Sequence, residues 1–307
     1  MKENMKDIAK YKAQEVMKER TQEKNSFQKN LVSSVIISQY LADDLLGQET
    51  HRNVKVHSVF PNGFNLIMDE QLIFIGKHGS DLSAFGLTLD ARVFDQLRAV
   101  LVVGQRVRID PIAWTFYTRP ILLQLVLGNV KKIAVEIVPV SREQFKVSPL
   151  ADIIESADVF KQSGFARSPE LLELLEIWQA KARDTGSLLH PDIVRQLIGA
   201  GIGLTPSGDD FLQGMLLVEK AISAEPSLKI CVQAALKDRS TTAVSLAYYQ
   251  ALFAGKVNIS WVNLLTAVKN TQDLAANLTA AVHQIQQYGA TSGNDILLGI
   301  QMALKFI

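Results

Sequence analysis

The sequence predicts an α+β protein in which a small β-rich N-terminal domain, a barrel or a sandwich, precedes an all-helical C-terminal bundle. Between residues 51 and 140, short runs rich in Val, Ile and Phe alternate with turn signals such as "PNG" and "KHGSD". After residue 149 these strand signals disappear, and apolar residues recur at helical spacing. A chain of 307 residues, 48% of them hydrophobic, is long enough for two such cores.

Composition narrows the class of protein. Lys and Arg total 32 against 31 Asp and Glu, so a net charge of +1 indicates neither a broadly basic nucleic-acid-binding surface nor an acidic disordered chain. The single cysteine excludes an internal disulfide framework and a cysteine-based structural zinc site. Since no apolar run reaches membrane-spanning length and no signal-peptide core is visible, the sequence predicts a soluble, cytoplasmic protein without membrane contact.

The chain divides into three predicted parts, of which the first two form its N-terminal half. Residues 1–30, rich in Lys, Glu and Gln, are interpreted as a charged helical or mobile arm. Residues 31–148 make the β-rich domain, which a helix over "LVSSVIISQYLADDLL" leads and a helix over "DARVFDQLRAVL" interrupts. The run "QRVRID" alternates apolar and polar residues, as expected for a half-buried strand.

Residues 149–307 are predicted to be all α-helical. The first long helix is "SPELLELLEIWQAKARD", in which Ser168 is the N-cap and Pro169 occupies the first helical position. Further helices are predicted over "HPDIVRQLIG", "DDFLQGMLLVEKAIS", "SLKICVQAALKD", "TTAVSLAYYQALFAG", "SWVNLLTAVKN", "TQDLAANLTAAVHQIQQYG" and "NDILLGIQMALKF". This domain carries the motifs that bear on function.

Two nearly identical corners occur 85 residues apart, "SGDDFLQG" beginning at Ser207 and "SGNDILLG" beginning at Ser292. Each stands where a loop meets an apolar helix. The simplest interpretation is a pair of capping boxes, in which the serine side chain accepts a hydrogen bond from the backbone N–H of Asp210 or Asp295 and the aspartate carboxylate accepts one from the backbone N–H of the serine. Such a cap stabilises a helix by about 1 kcal/mol and requires no further function.

Three features favour a binding site over simple caps. Gly214 and Gly299 lie inside the helices, where each costs ~1 kcal/mol relative to alanine, so a close approach is expected there. The preceding "GAGIGLTP" has more backbone freedom than a cap requires, and Asp209 adds a carboxylate that takes no part in the box. We therefore expect the two helix starts to converge on one pocket.

Such a pocket would offer backbone N–H donors from the glycine loop beside carboxylate acceptors. A small anionic amide or carbamoyl compound suits this combination, because the N–H groups hold its oxygens while Asp209 or Asp210 holds its amide hydrogens. Alternatively, Asp209 and Asp210 bind Mg²⁺, which takes one or two carboxylates and leaves positions for phosphate.

A further helix start follows Arg239 in "KDRSTTAVSLAYYQ". An N-cap at Ser240 or Thr241 is the structural interpretation. The functional one is an oxyanion clamp in which Arg239, Thr241 and Thr242 contact the ligand.

The stretches "LIGAGIGLTPSGDDFLQG", "YGATSGNDILLGI" and "HSVFPNGFNL" resemble a bacterial family that includes the AllH-type, helix-rich third subunit of oxamate carbamoyltransferase. The likeness spans roughly residues 50–305. It implies a subunit that acts with two companion subunits in allantoin and purine nitrogen catabolism, where oxalurate and phosphate yield oxamate and carbamoyl phosphate. The matching motif residues are Gly201, Gly203, Thr205, Ser207, Gly208, Asp209 and Asp210, with Ser292, Gly293 and Asp295 from the second corner.

Together these observations favour part of a multi-subunit carbamoyltransferase, with Asp209, Asp210 and Asp295 in the catalytic role. The predicted substrate-binding residues are Gly201, Gly203, Thr205, Ser207, Gly208, Arg239, Thr241, Thr242, Ser292 and Gly293. Two other functions fit the same residues. One is a non-catalytic subunit that binds a small ligand or regulates an enzyme, and the other is a Mg²⁺-dependent phosphotransfer or hydrolytic enzyme that uses Asp209 and Asp210.

Overall fold

The computed structural model describes residues 28–187, 189–223, 227–270 and 272–307. Contacts group the described residues into two units, the first made of residues 28–80 together with 86–133, and the second of described residues in 81–85 and 134–307. The predicted arm over residues 1–30 falls outside the described residues, apart from its last three positions.

The first unit is a closed eight-stranded β-barrel. Its strands are β1 (Gln28–Ser38), β2 (His51–Phe60), β3 (Gly63–Met68), β4 (Gln71–Lys77), β5 (Gly86–Leu89), β6 (Arg106–Ile109), β7 (Ala113–Phe116) and β8 (Leu122–Ile133), and helix α1 (Ala91–Arg98) follows β5. The strand order around the barrel is β1-β5-β4-β3-β2-β6-β7-β8, closed by parallel pairing of β8 with β1. Of the two predicted architectures, barrel and sandwich, the barrel is the one that forms.

The predicted helix over "LVSSVIISQYLADDLL" is wrong in its first half. Leu31, Val35 and Ile37 are buried at alternate positions of strand β1, and only Tyr40–Leu46 is helical, as a single π-helical segment. The β-branched residues of this stretch suit a pleated surface, and their spacing of two places one face in the barrel core. Apolar richness alone did not distinguish this strand from a buried helix.

The second unit is helical, as predicted. Its helices are α2 (Arg142–Val147), α3 (Leu150–Ser156), α4 (Val159–Gln162), α5 (Pro169–Thr185), α6 (Pro191–Leu197), α7 (Ser207–Ile222), α8 (Ser227–Ala235), α9 (Ala243–Phe253), α10 (Ile259–Lys269), α11 (Leu274–Gln286) and α12 (Ser292–Leu304), with a 3-10 turn at Phe165–Arg167. The predicted start of α5 is confirmed, because Ser168 accepts a hydrogen bond from Leu171 N and Pro169 occupies the first turn. None of the helices in the described ranges has the length and apolar character needed to cross a membrane.

Helix α7 lies at the centre of this unit. Almost all of it is buried, and the ring of Phe211 contacts Phe165 at 5.0 Å and Trp178 at 5.6 Å between centroids. These aromatic contacts hold the 3-10 turn and helix α5 beside the first turn of α7. They fix the surroundings of the Ser207 corner.

Helices α7 and α12 pack against each other at their interior glycines. This agrees with the expectation that glycine, an unfavourable residue inside a helix, marks a close approach there. A Cβ at Gly214 would lie 2.0 Å from the carbonyl oxygen of Ile296, and a Cβ at Gly299 would lie 2.0 Å from that of Phe211. The two contacts are equivalent under the 85-residue offset of the repeated motif. The two corners therefore belong to helices that an approximate twofold axis relates. The backbones of these two helices touch at positions where only glycine fits.

Candidate functional site

The two Ser-Gly corners lie together and exchange partners. The hydroxyl of Ser207 in the first corner hydrogen-bonds to the carboxyl of Asp295 in the second, and the hydroxyl of Ser292 hydrogen-bonds to Asp210. Thr205, just before the first corner, lies 2.8 Å from Ser292 between hydroxyl oxygens. The expectation that the two helix starts converge agrees with this geometry.

The predicted capping boxes are wrong. Helix α7 has Pro206 at its N-cap and α12 has Thr291, and neither residue caps its helix through a side chain. Ser207 and Ser292 stand one position later, inside their helices, and each turns to the carboxyl of the opposite corner. The local spacing that suits a cap thus serves a contact between helices.

The carboxyl of Asp210 is fully buried and faces a second acid. Burial and the nearby charge of Asp295 raise the pKa of Asp210 well above its ordinary value, whereas hydrogen bonds from Ser292 and Thr205 oppose this shift. Burial also raises the pKa of Asp295, to about 6. Because two adjacent buried carboxylates repel, burial and their mutual charge both favour a protonated carboxyl within the pair.

Neither acid is fully satisfied by its surroundings. The amide of Gly164 donates to Asp295 Oδ1 at 2.8 Å. The Oδ2 atoms of Asp210 and Asp295, both buried, lack a well-aligned hydrogen bond within the described part of the chain. A buried acceptor left in this way costs about 1–3 kcal/mol, so such a pair is expected where chemistry and not stability has set the residues.

Asp209 has a different environment from its neighbour. Its Oδ1 accepts hydrogen bonds from the amide of Gly199 at 3.2 Å and from the hydroxyl of Tyr249 at 3.0 Å, and Thr241 donates to its Oδ2. Burial raises its pKa, and these hydrogen bonds counteract the shift. Asp209 therefore ties the glycine loop to helix α9 and has no carboxyl oxygen facing a ligand.

The hydroxyls that follow Arg239 are also occupied. Thr242, and not Ser240 or Thr241 as predicted, is the N-cap of α9, since its side chain accepts from Ser245 N at 3.0 Å. Thr242 also donates to the carbonyl of Leu204. Thr241 and Thr242 thus position the loop that precedes α7, and Arg239 is the member of the predicted clamp that reaches the cavity.

A cavity of about 790 Å³ opens beside the Ser207 corner. Its wall combines the turn and first residues of α5, the glycine loop at 200–203, Ser207, Arg239 and residues 290–291. Ser207 lines the cavity while hydrogen-bonding to Asp295 beneath it. Asp295 is thereby one side chain away from the cavity.

The glycine loop supplies free backbone donors to this wall. Gly201 and Gly203 have φ values of 115° and 100°, which residues other than glycine rarely adopt. Ile202 between them is 93% exposed. Across the described ranges, the amides of these three residues have no hydrogen-bond acceptor. Free amides of this kind can donate to the oxygens of a ligand, and the predicted binding role of Gly201 and Gly203 stays a prediction.

Gly208 and Gly293 serve packing instead. A Cβ at Gly208 would lie 2.2 Å from the carbonyl oxygen of Leu197, and one at Gly293 would lie 2.0 Å from that of Ile285. Each glycine lets a helix start press against the end of the preceding helix. Their place in the motif follows from this close approach.

The cavity also contains charged residues that the sequence did not single out. Arg167 and Glu170 line it together with Arg239, and in the described structure neither arginine has a carboxylate within ion-pair distance. Arg167 precedes the N-cap of α5, and no local pattern separates it from a solvated arginine. Gly164, in "QSGFARSP", was also missed, although a methyl group there would lie 1.9 Å from Ser207 Oγ.

The aspartates do not group around a common ion. Within the described residues, no cluster of three or more His, Cys, Asp or Glu side chains is placed to hold a metal. Asp209 faces Gly199, Thr241 and Tyr249, whereas Asp210 faces Asp295 and the hydroxyls of Ser292 and Thr205. The proposed Mg²⁺ ligands thus turn to different partners.

Comparison with known protein families matches most of the chain to one family. The model described as oxamate carbamoyltransferase subunit AllH matches residues 197–304, and the model described as the AllH family N-terminal domain matches residues 30–130. No solved structure matches the chain. The first match contains both Ser-Gly corners and the glycine loop, and the second coincides with the barrel.

Proposed function

The chain belongs to the AllH family of oxamate carbamoyltransferase subunits, and we propose that its cavity binds the substrates of that enzyme. In the proposed reaction, an oxygen of phosphate attacks the carbamoyl carbon of oxalurate. The bond from this carbon to the inner nitrogen breaks, the nitrogen takes up a proton, and oxamate and carbamoyl phosphate form. The companion subunits and the allantoin-degradation pathway are part of the same proposal.

The observation that carries the proposal is the combination of donors and acceptors at one cavity. Arg167 and Arg239, without carboxylate partners in the described structure, suit the carboxylate of oxalurate and the phosphate. The free amides of Gly201 and Gly203 suit the carbamoyl oxygen, on which negative charge develops during attack. Holding two anions and an amide together is the main requirement of this transfer, which needs no covalent nucleophile.

Ser207 and Asp295 provide a route for the proton. Asp295, with a pKa of about 6, can gain or lose a proton near neutral pH. The hydroxyl of Ser207 lies between that carboxyl and the cavity. We assign Ser207 the contact with the departing nitrogen, and Asp295 acts through it, which refines the expectation that Asp295 is itself catalytic.

A test is steady-state phosphorolysis of oxalurate by the enzyme assembled with its companion subunits. Replacing Arg239 by Ala is expected to lower kcat/KM by roughly 10–100-fold, because a charge-assisted hydrogen bond contributes about 1.5–3 kcal/mol. The matched control is Lys237→Ala, an exposed cation two residues away that does not line the cavity. Equal losses in both variants, or none in Arg239→Ala, would contradict the proposed substrate site.

A second candidate function is a ligand-binding, regulatory subunit. The burial of Asp210 and Asp295 favours it, since a cavity lined by arginines and amides, with no exposed acid of the corners, suffices for binding. The same assay separates the two functions. Ser207→Ala lowers kcat in the catalytic case, whereas in the regulatory case it leaves kcat at saturating substrate unchanged.

A further inference from the structure

A carboxylate stands in the wall of a cavity that otherwise suits anions. Glu170 lines the cavity together with Arg167 and Arg239. It lies in the first turn of α5, where its Oε2 accepts a hydrogen bond from the hydroxyl of Ser168 at 2.8 Å. In the structure as described, it has no cationic partner within ion-pair distance.

A wholly anionic ligand does not explain this residue. The backbone N–H of Glu170 and the hydroxyl of Ser168 keep the pKa of Glu170 below its ordinary value, so the side chain is charged at neutral pH. A negative charge in the wall opposes phosphate or a dicarboxylate, and helix capping does not require it, because Ser168 already caps α5. A ligand with N–H groups, however, gives the carboxylate a partner.

We infer that Glu170 accepts a hydrogen bond from the amide nitrogen of the ligand and thereby selects carbamoyl and amide compounds over the matching carboxylates. This inference rests on the proposed function and adds a specificity-determining residue to it. The arginines would hold the carboxylate end of the ligand and Glu170 its nitrogen end. Cations and an anion in one cavity then correspond to the two ends of one small molecule.

Oxamate and oxalate are a matched pair of ligands for testing whether Glu170 distinguishes an amide from a carboxylate. They have nearly the same size and shape, and they differ in that an NH₂ group of oxamate is replaced by a charged oxygen in oxalate. A carboxylate beside that position gains a hydrogen bond from oxamate and meets a like charge in oxalate. The expected preference for oxamate is at least roughly tenfold in Kd.

The experiment measures Kd for both compounds by titration calorimetry at pH 7.5, on the full chain and on two variants. Glu170→Gln should reduce the preference to below about threefold, mainly because oxalate binds more tightly once the like charge is gone. Glu173→Gln, an exposed acid on the same helix outside the cavity, should leave the preference unchanged. A merely structural role of Glu170 would weaken both compounds together and would not strengthen oxalate.

The outcomes separate this inference from the function on which it rests. If the unmodified chain binds both compounds and Glu170→Gln leaves their ratio unchanged, the inference is overturned and the cavity assignment stands. If the unmodified chain binds neither compound, the cavity assignment and the inference both fall. Thermal melting of the three proteins shows that any change in Kd belongs to folded protein.

Discussion

At the level of single residues, the site depends on one hydroxyl held over a buried acid. Ser207 meets the cavity on one side and Asp295 on the other. Gly164 leaves room for it, because a methyl group there would lie 1.9 Å from Ser207 Oγ, and the Gly164 amide also donates to Asp295. Three separate segments thus fix a single donor, which is the placement that proton transfer requires.

Replacing Asp295 by Asn is expected to remove a pH-dependent loss of stability. Burial raises the pKa of Asp295 from 3.8 to about 6, so the folded state binds this proton more tightly than the unfolded state does. The stabilisation is fully present below pH 4 and is lost as the pH rises to about 6. It amounts to about 3 kcal/mol. Urea unfolding between pH 4 and pH 7 should therefore show a smaller decline in Asp295→Asn than in the parent chain.

Asp152→Asn is the control for this comparison, since Asp152 is exposed on helix α3. It should keep the full decline. An unchanged decline in Asp295→Asn would mean that this carboxyl does not carry the pH dependence, and it would remove the proton route through Ser207.

The residues of the site were only partly visible in the sequence. A serine followed three residues later by an aspartate is a local pattern, and it drew attention to Ser207 and Ser292. The partner of each serine lies in the other corner, far away in the chain, and a local pattern holds no information about it. Arg167 and Glu170 were not visible for the same reason. They line the cavity because helix packing brings their segment beside the glycine loop, and no local pattern records this packing.

At the level of elements, helices α7 and α12 bring the two corners together. Gly214 and Gly299 each meet a carbonyl of the opposite helix, so the axes approach more closely than side chains would permit. This approach places both helix starts, and hence Asp210 and Asp295, against each other. Gly214 and Gly299 were the informative signal in the sequence. Glycine is unfavourable inside a helix, and no local feature of the chain explains its presence at these two positions.

Substituting either glycine by alanine is expected to destabilise the protein, although propensity alone predicts a gain of ~1 kcal/mol. A Cβ 2.0 Å from a backbone oxygen forces the helices apart, which costs roughly 1–3 kcal/mol for overpacking. Gly214→Ala and Gly299→Ala should lose similar amounts of unfolding free energy in urea, given their equivalent surroundings. A gain in stability in either variant would contradict the close packing of α7 and α12.

The secondary structure of strand β1 could not be predicted from its local sequence. Its apolar residues satisfy a short helix as well as a strand, and the choice depends on β5 and β8, which pair with it from distant parts of the chain. Pairing of this kind is long-range and leaves no local trace. The helical unit was easier to predict, because its longer helices, α5, α7 and α9–α12, each repeat the helical period over eleven or more residues.

At the scale of the whole molecule, the helical unit takes in Asp81–Phe85 from the middle of the barrel sequence. Asp81 Oδ1 accepts the amide of Ser260 at 3.0 Å, and the amide of Ala84 donates to Asn258. The predicted boundary at residue 148, where strand patterns give way to helical ones, places these residues in the β-rich part. Nothing in their local sequence connects them to α10. The division into a β-rich and a helical part is confirmed, and the exact ranges of the domains stay a prediction.

The proposed function requires that this chain itself, and not a companion subunit, holds the ligand. The most direct measurement is titration of oxamate into the purified chain alone, together with its Arg167→Ala and Arg239→Ala variants. We predict one binding site per chain, weakened at least about tenfold by either substitution. Absence of binding to the chain alone, or equal binding by all three proteins, would contradict the assignment of the cavity.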